Sequence, residues 1–244
     1  MKKVHLWNGD SLNKINNIAI IPARGGSKRI PRKNIKDFLG KPIIAYSIEA
    51  ALDSKLFAEV MVSTDYEEIA EVAKKYGAKI PFMRSKKNAD DYATTADVLL
   101  EVLGEYKKGG KEFDNLCCIY PTAPFVTPEK LNDSFNLLLE NKAGSVIPVV
   151  KFSYPIQRSF RINNIGQLEY IWPENINKRS QDLVPTYHDA GQFYWIKSQP
   201  FLRTHSLILM RTIPFELSDT EVQDIDNIED WKLAELKVMR KFAK

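Results

Sequence analysis

Cysteine, histidine and long apolar runs are scarce in this 244-residue sequence, and these scarcities exclude several classes of protein. The two cysteines, Cys117 and Cys118, are adjacent, a spacing that suits neither a disulfide nor a structural zinc site. No apolar run approaches the ~20 residues of a membrane helix, and residues 1–16 lack the apolar core of a signal peptide. We therefore expect a cytoplasmic protein with buried thiols and no membrane partner.

Acidic residues are absent between Arg24 and Lys36, and six of the cations of the chain lie in this short segment. The formal net charge of the whole chain is only +4. A nucleic-acid-binding protein usually spreads its cations over a longer surface with interleaved aromatic residues. A focused cluster fits a compact polyanion such as a nucleoside triphosphate, so we expect no nucleic-acid partner. The cations of this segment are Arg24, Lys28, Arg29, Arg32, Lys33 and Lys36.

Short apolar strands alternate with amphipathic helices over roughly the first 150 residues, and this alternation predicts an α/β fold. We expect a Rossmann-like, mostly parallel sheet with helices on both faces, and a ligand site beyond the carboxyl ends of the strands. Thr64 and Asp65 are expected to cap one helix, and Thr94-x-x-Asp97 has the form of a capping box before another. The predicted strands are 17–23, 59–65, 115–120 and 145–152.

Residues 152–186 interrupt this alternation with proline-punctuated apolar pieces, which predict a small hairpin-rich arm. Exposing its aromatic residues would be costly, so we expect the arm to form a homodimer by exchange with a second subunit. A strand and a final helix, capped by Asp226 or Asn227, are predicted to follow. The domain organisation is then an extension at 1–16 and one domain at 17–244 that contains the arm. The aromatic residues are Phe152, Tyr154, Phe160, Tyr170 and Trp172.

The segment A-R-G-G-S-K-R-I-P-R-K-N (23–34, the basic loop) follows the first predicted strand, at the edge where such sheets bind ligands. Its paired glycines allow backbone amides to approach phosphate oxygens. The pattern is neither a Walker loop nor a G-x-G-x-x-G motif. A solvated basic loop is the alternative interpretation, which the concentration of cations at the end of a strand disfavours.

Several motifs together resemble the CMP-sialic acid synthetase family of cytidylyltransferases. IPARGGSKRIPRKN (21–34), S-T-D (63–65), Arg84 followed by Thr95, YPTAPF (120–125) and QDID (223–226) occur in the order of that family's motifs. The resemblance covers residues 17 to about 242 of the sequence. Within the family, DDYATTADVL, RSQDL and YHDAGQFYW are most similar to pseudaminic acid cytidylyltransferases.

The resemblance implies a nucleotide site built mainly from the basic loop. Arg24 and Lys33 would hold the triphosphate of CTP. The other implied contacts are Ala23, Gly25, Gly26 and Ser27 in the loop, and Asn34, Arg84 and Thr95 at the cytosine. From the residues alone, Arg84 and Thr95 are equally well a surface arginine and a helix cap.

The resemblance also implies a site for a nine-carbon (nonulosonic) sugar acid. Tyr120 stands where the sialic-acid branch usually has glutamine, which argues for a sugar other than N-acetylneuraminate with an extra apolar contact. Alternate residues of 189–194 must face the core if this segment is a strand, and Gly191 is expected to be a position of close approach. His188 is interpreted as a structural or rim residue, since no G-x-S-x-G motif accompanies it. The implied sugar-binding residues are Tyr120, Asp189, Gln192, Phe193 and Tyr194, with Arg158 and Arg179 of the arm reaching the site of the other subunit.

Asp224 and Asp226 form a pair of carboxylates two residues apart. On an extended segment both side chains project to the same side, where they can bind one hard cation such as Mg²⁺. A helix cap at Asp226 explains the spacing about equally well. The match to the metal-binding pair of the family favours the magnesium site.

Two functions are compatible with these features. The first is cytidylyl transfer from CTP to a nonulosonic acid, with pseudaminic acid as first choice, legionaminic or sialic acid as alternatives, and Arg24, Lys33, Asp224 and Asp226 as catalytic residues. The second is a nucleotide-sugar-binding or glycosyltransferase-like domain. That domain needs less positive charge in the loop and a D-x-D motif after a mid-chain strand, whereas the D-x-D here lies late, at 224–226. We therefore favour the transferase.

Overall fold

A mostly parallel β-sheet forms the centre of the computed structural model, which describes residues 16–242. The predicted extension at 1–16 thus lies almost entirely outside the described residues. In chain order the strands are β1 (Asn17–Pro22), β2 (Asp37–Phe38), β3 (Lys41–Pro42), β4 (Glu59–Ser63), β5 (Asn115–Ile119), β6 (Ser145–Lys151), β7 (Phe160–Ile162), β8 (Leu168–Tyr170), β9 (Tyr187–Asp189), β10 (Phe193–Lys197) and β11 (Thr212–Leu217).

The central sheet has the order β11–β6–β10–β5–β1–β4, with β9 also beside β6. Strands β1, β4, β5, β6 and β11 share one direction, which confirms the predicted parallel character. β10 runs antiparallel between β5 and β6, and β9 is antiparallel to β6. Both lie along β6 and are separated at Gly191, whose φ of +60° is a conformation that favours glycine.

Helices cover both faces of the sheet, as predicted. Alternate residues of β1 point to opposite faces, with Ala19 and Ile21 in one core cluster and Ile18 and Ile20 in another. The first cluster includes residues of α1, α2 and α4, and the second residues of α3 and α5, while α6 packs on a third cluster around Ile225. The helices are α1 (Ile43–Ser54), α2 (Glu67–Lys75), α3 (Thr95–Lys108), α4 (Pro128–Glu140), α5 (Ser198–Thr204) and α6 (Ile228–Phe242).

The helix ends confirm some local predictions and correct others. Thr94 and Asp97 form the predicted capping box of α3. Thr64 and Asp65 do not cap α2, which begins at Glu67, because the carboxylate of Asp65 instead accepts a hydrogen bond from the amide of Gly25. Between residues 16 and 242, no helix is both long and apolar enough to cross a lipid bilayer.

The cap of α6 is made by Asn227, which settles the choice left open by the sequence. The Oδ1 of Asn227 accepts hydrogen bonds from the amides of Glu229 and Asp230, at 2.9 and 3.0 Å. Asp230 in turn accepts from the amides of Asp226 and Asn227, each at 3.0 Å. The side chain of Asp226 therefore has no part in the cap.

The two cysteines lie in β5 as free, buried thiols, as the sequence predicts. Burial raises the pKa of both thiols, that of Cys118 to about 12. Both groups therefore stay protonated and unreactive at neutral pH.

The arm after β6 contains the predicted hairpin, formed by β7 and β8 with a turn at Asn163. Its apolar side chains are unusually exposed: Tyr154 by 85%, Ile162 by 73% and Val184 by 76%. Such residues are normally covered in a folded protein, so the arm presents an apolar surface that the other described residues, within 16–242, leave uncovered.

Candidate active site

The basic loop is tied down at the carboxyl end of β1. The amide of Ala23 donates to the carbonyl of Ser63 at 2.9 Å, which extends the pairing with β4 by one residue. The amide of Ser27 donates to the carbonyl of Gly25 at 3.0 Å, and the buried Asn34 donates its side-chain amide to the carbonyl of Arg24 at 2.9 Å. These bonds fold the loop into a tight turn.

Gly25 approaches the residues after β4 very closely. Its amide donates to Oδ1 of Asp65 at 2.9 Å, and a Cβ at this position would lie 2.9 Å from the Cβ of Tyr66. A Cβ at Gly26 would meet nothing within 4 Å. The first glycine is thus required by packing, whereas Gly26 faces open space.

Acidic residues from distant segments pair with the basic loop in three dimensions. The paired side chains are 41–78% exposed, so an incoming polyanion can displace these contacts at small cost. The loop therefore carries less uncompensated charge than its sequence indicates. The pairs are Arg24–Asp91 (2.9 Å), Lys28–Asp91 (2.5 Å), Arg29–Asp226 (2.6 Å) and Arg32–Glu68.

A cleft of about 340 Å³ opens between the basic loop and the residues that follow β5. This volume is in the range of small-molecule sites. Arg24, Lys28, Arg29 and Lys33 line the basic side, together with Ser27 and Asn34, and the cleft also reaches Tyr120, Pro121 and Thr122. The structure thus places the predicted triphosphate residues and Tyr120 around one space, at the predicted edge of the sheet.

Lys33 connects the basic loop to the carboxylate pair. Its Nζ donates to the carbonyl of Ile225, between the two aspartates, at 2.7 Å. Burial lowers the pKa of Lys33, while the charges of Asp226 and Asp224 oppose this shift. Residues 24–34 and 224–226, far apart in sequence, therefore form one charged region.

The carboxylate pair flanks a residue of the hydrophobic core. Ile225 is buried in the core under α6, whereas Asp224 before it is exposed and Asp226 after it is half-buried. Burial and the nearby charge of Asp226 raise the pKa of Asp224, so the two carboxylates repel each other. Within residues 16–242, no group of three or more acidic, histidine or cysteine side chains is placed to hold a metal.

Arg84 is buried, so its interpretation as a surface residue is wrong. Its Nε donates to Oγ of Ser63 at 3.0 Å, and its Nη2 donates to the carbonyl of the same residue. Burial lowers the pKa of Arg84, and the charge of Asp65 opposes that shift. The alternative for Thr95 is also wrong, because the cap of α3 is Thr94, and Thr95 Oγ1 lies 3.3 Å from the hydroxyl of Tyr120.

Tyr120 and Tyr194 stand between the cleft and a second cavity of about 470 Å³. Their rings meet edge to face with centroids 5.5 Å apart, and burial raises the pKa of both hydroxyls. The hydroxyl of Tyr194 donates to Oδ2 of Asp189 at 2.7 Å, and the Oδ1 of Asp189 accepts from the amide of Gly191. Asp189 and His188 also line the second cavity, but most of its surface is apolar. The apolar side chains are those of Ile147, Val149, Leu207, Ile208 and Pro214.

Two predicted sugar contacts lie elsewhere. Phe193 points to the opposite face of the sheet from Tyr194 and is fully buried in the core with Trp195. Gln192 is also buried, and its side-chain amide donates to the carbonyl of Glu221 at 2.7 Å. The close approach predicted at Gly191 is wrong as well, since a Cβ there would meet nothing within 4 Å.

The arginines predicted to reach another subunit have partners within the arm. Arg179 forms a two-point ion pair with Asp182, at 2.7 and 3.0 Å. Arg158 donates to the hydroxyl of Ser180 at 3.4 Å. Both side chains therefore make their hydrogen bonds within the arm, and neither lines the cleft.

Sequence reasoning missed three residues that shape the site: Asp65, Asp91 and Thr122. The sequence context of Asp65 predicts a helix cap, and Asp91 carries no local signal because its partners Arg24 and Lys28 are more than 60 residues away. Thr122 lies within the YPTAPF motif at the end of a predicted strand, and that position is the signal that identifies it.

Comparison with known proteins extends this picture. The family model described as "Cytidylyltransferase" matches residues 18–242. A pseudaminic acid cytidylyltransferase of Campylobacter jejuni is 44% identical over 220 residues, which are 90% of this chain and 95% of that protein. A CMP-N,N'-diacetyllegionaminic acid synthase of Legionella pneumophila is 34% identical over 225 residues, 89% of this chain and 94% of that protein.

A solved structure shares the fold at much lower identity. It is that of a CMP:2-keto-3-deoxy-manno-octonic acid synthetase complexed with CTP, with a TM-score of 0.67, 18% identity and coverage of 93% of this chain and 99% of that one. The family model and the curated relatives span nearly the whole described region. The chain belongs to the cytidylyltransferase family.

Proposed function

We propose that the protein transfers the cytidylyl group of CTP to pseudaminic acid, with release of pyrophosphate. The observation that carries this proposal is the cleft in which Arg24 and Lys33 face Tyr120 at the ends of two neighbouring strands. A triphosphate at the basic side is then adjacent to a second substrate beyond the tyrosine. The similarity to pseudaminic acid cytidylyltransferases supports the choice of sugar.

In the proposed reaction, the anomeric 2-hydroxyl oxygen of the sugar attacks the α-phosphorus of CTP in line. A new bond forms from this oxygen to phosphorus, the bond from the α-phosphorus to the bridging oxygen breaks, and the hydroxyl proton passes to water. Arg24 and Lys33 bind the triphosphate and stabilise the charge that develops on the leaving pyrophosphate. Most of the acceleration then comes from positioning and charge neutralisation.

The outer face of residues 224–226 fits a hard divalent cation such as Mg²⁺. The two carboxylates flank the buried Ile225. Burial, together with the nearby charge of Asp226, raises the pKa of Asp224, and a bound cation would favour the charged form of both groups. Asp224 and Asp226 would hold the ion together with phosphate oxygens and water. Bound there, Mg²⁺ would neutralise phosphate charge and favour ionisation of the sugar hydroxyl.

In this proposal the sugar acid binds beyond Tyr120, next to Tyr194 and Asp189. The cavity there has mainly apolar walls, including Ile147 and Leu207. Such walls suit a sugar whose hydroxyls are partly replaced by methyl and acylamino groups better than a fully hydroxylated one. This supports pseudaminic acid over N-acetylneuraminate, with legionaminic acid as the alternative.

The direct test is pyrophosphate release from CTP in the presence of magnesium and a panel of sugar acids. We expect release only when a nonulosonic acid is present, fastest with pseudaminic acid and slower with legionaminic or N-acetylneuraminic acid. Release that requires no sugar acid, or no release with any of them, would contradict the proposal. Fastest release with legionaminic acid would correct the sugar and keep the reaction.

CTP is expected to be preferred over UTP by at least about fivefold in kcat/KM. The exocyclic amine of cytosine is a hydrogen-bond donor where uracil has an acceptor, and a mismatched buried group costs about 1–3 kcal/mol. Parallel initial-rate measurements with both nucleotides check this selectivity. Equal rates would show that Asn34, Arg84 and Thr95 do not read the base.

We also propose that the arm at 152–186 forms a homodimer, because Tyr154, Ile162 and Val184 are too exposed to remain uncovered. Light scattering is expected to give twice the mass of the 244-residue chain. Leu168→Asp in the arm should yield monomers, whereas Leu236→Asp on α6, also an exposed leucine, should not. A fully active monomer of the unaltered protein would remove the role assigned to the arm, including that of Arg158 and Arg179.

A further inference from the structure

Asp65 occupies a position between the basic loop and Arg84. It follows β4 by two residues, and the last residue of that strand, Ser63, accepts both hydrogen bonds from the Arg84 guanidinium. The carboxylate of Asp65 is close enough to act electrostatically on Arg84, whose charge it favours. Arg84 therefore has its hydrogen-bond acceptors and a counter-charge on one short segment.

Asp65 and Tyr66, in the same short segment, also contact the basic loop. Oδ1 of Asp65 accepts the Gly25 amide at 2.9 Å, and Tyr66 fills the space where a side chain at residue 25 would lie. The Gly25 amide is thus engaged within the protein and is not offered to a phosphate. Arg24, whose carbonyl is held by Asn34, precedes this anchored peptide directly.

We propose that Asp65 is a positioning residue of the nucleotide site. Its bond to the Gly25 amide holds the basic loop against the end of β4, the same strand end that binds Arg84. The proposal rests on the proposed function, since it assigns Arg24 to the triphosphate and Arg84 to the base. Loss of the acceptor at residue 65 leaves the Gly25 amide without its anchor and allows the loop to leave its place. CTP then has to order the loop as it binds, which weakens its affinity.

The test compares Asp65→Ala, Asp65→Asn and the control Asp133→Ala, which removes an exposed aspartate of α4. Asparagine keeps an oxygen that can accept from Gly25, so it separates the hydrogen bond from the charge. Calorimetry gives the Kd for CTP in the presence of magnesium and without sugar. Amide hydrogen exchange of the peptide that covers residues 23–34 reports the loop itself, with no nucleotide needed.

We expect Asp65→Ala to raise the Kd for CTP about tenfold or more and to speed exchange in the 23–34 peptide. Asp65→Asn is expected to stay within about threefold of the wild type in Kd and to show wild-type exchange, as is Asp133→Ala. The KM for the sugar acid should be the same in all four proteins. A KM for the sugar that rises together with the Kd for CTP would indicate general damage and would contradict a role confined to the nucleotide side.

Two further results would overturn the positioning role. One is wild-type exchange and CTP affinity in Asp65→Ala. The other is equal impairment of the alanine and asparagine variants, which would assign the effect to the charge opposite Arg84 alone. If the wild-type protein binds CTP but transfers its cytidylyl group to no sugar acid, the proposed function is refuted. The result for Asp65 would still hold. If the wild type binds no CTP, hydrogen exchange alone decides whether Asp65 anchors the loop.

Discussion

Replacement of Arg24 or Lys33 by alanine is expected to lower kcat/KM for CTP by about 10²-fold or more, comparable to the loss of one preorganised donor at a developing charge. Both side chains line the cleft and reach it from a loop whose backbone is held by Ser63, Asn34 and Asp65. Each provides a charge-assisted contact to a polyanion that is present only when CTP is bound. Steady-state kinetics with varied CTP, and the melting temperature of each variant, measure the two effects.

The effect of these substitutions on stability is expected to be small by comparison. Arg24 is partly exposed, and its ion pair with Asp91 lies at the surface, where such pairs stabilise little. Lys33 is more buried and loses its bond to the carbonyl of Ile225, which corresponds to about 1 kcal/mol of unfolding free energy. Lys33→Ala should therefore melt somewhat earlier than Arg24→Ala but still be folded at the assay temperature.

Lys36→Ala is the matched control for these two variants. Lys36 belongs to the same run of cations, but it is exposed and points toward the ring of Trp231, 5.6 Å from its centroid, instead of lining the cleft. Its removal takes the same charge from the same segment, and we expect kcat/KM to change by less than about threefold. If all three alanine variants lose activity equally, the cluster acts as a diffuse field and the specific assignment fails. Unaltered kinetics in Arg24→Ala and Lys33→Ala would place the triphosphate elsewhere.

The elements with strong local signals could be predicted from the sequence. The capping box fixes the start of α3, because it depends only on Thr94 and Asp97, three positions apart. The buried strands were predictable because a sheet covered on both faces needs continuous apolar runs such as that of β1. The ends of these strands then located the basic loop at the ligand-binding edge.

The parts that could not be predicted depend on contacts between distant segments. Asp65 has the sequence context of a cap, and only its bond to the Gly25 amide, 40 positions away, reveals its role as an anchor. Phe193 and Tyr194 are adjacent in a strand, so only one of them can face the site, and the sequence does not say which. The acids that compensate the basic loop come from three other segments, which a count of local charges cannot detect.

The structure decides whether Asp226 caps α6, which the sequence alone does not. A cap and a metal ligand were equally good explanations of Asp226 from spacing alone. The cap belongs to Asn227, with Asp230 as its reciprocal acceptor, so the side chain of Asp226 is available for another role. Its contact is the exposed guanidinium of Arg29 at 2.6 Å, which can turn to a phosphate when a cation takes its place.

Asp226→Asn and Asp224→Asn are therefore expected to be folded proteins with severely reduced activity and a raised magnesium requirement. Each removes a negative charge from the proposed ion site and disturbs no bond of the α6 cap, so the melting temperature should stay close to that of the wild type. Rates measured over a range of magnesium concentrations check the activity, and thermal unfolding checks the fold.

Asn227→Ala is the matched control, because it removes the cap next to an intact carboxylate pair. It is expected to lower the unfolding free energy by about 0.5–2 kcal/mol with little change in the magnesium dependence of the rate. The two roles thus separate along the chain: position 227 affects stability, and positions 224 and 226 affect the response to the ion. Wild-type rates in both aspartate variants at limiting magnesium would show that the triphosphate alone holds the ion, and that the pair serves mainly to orient Lys33 and Arg29.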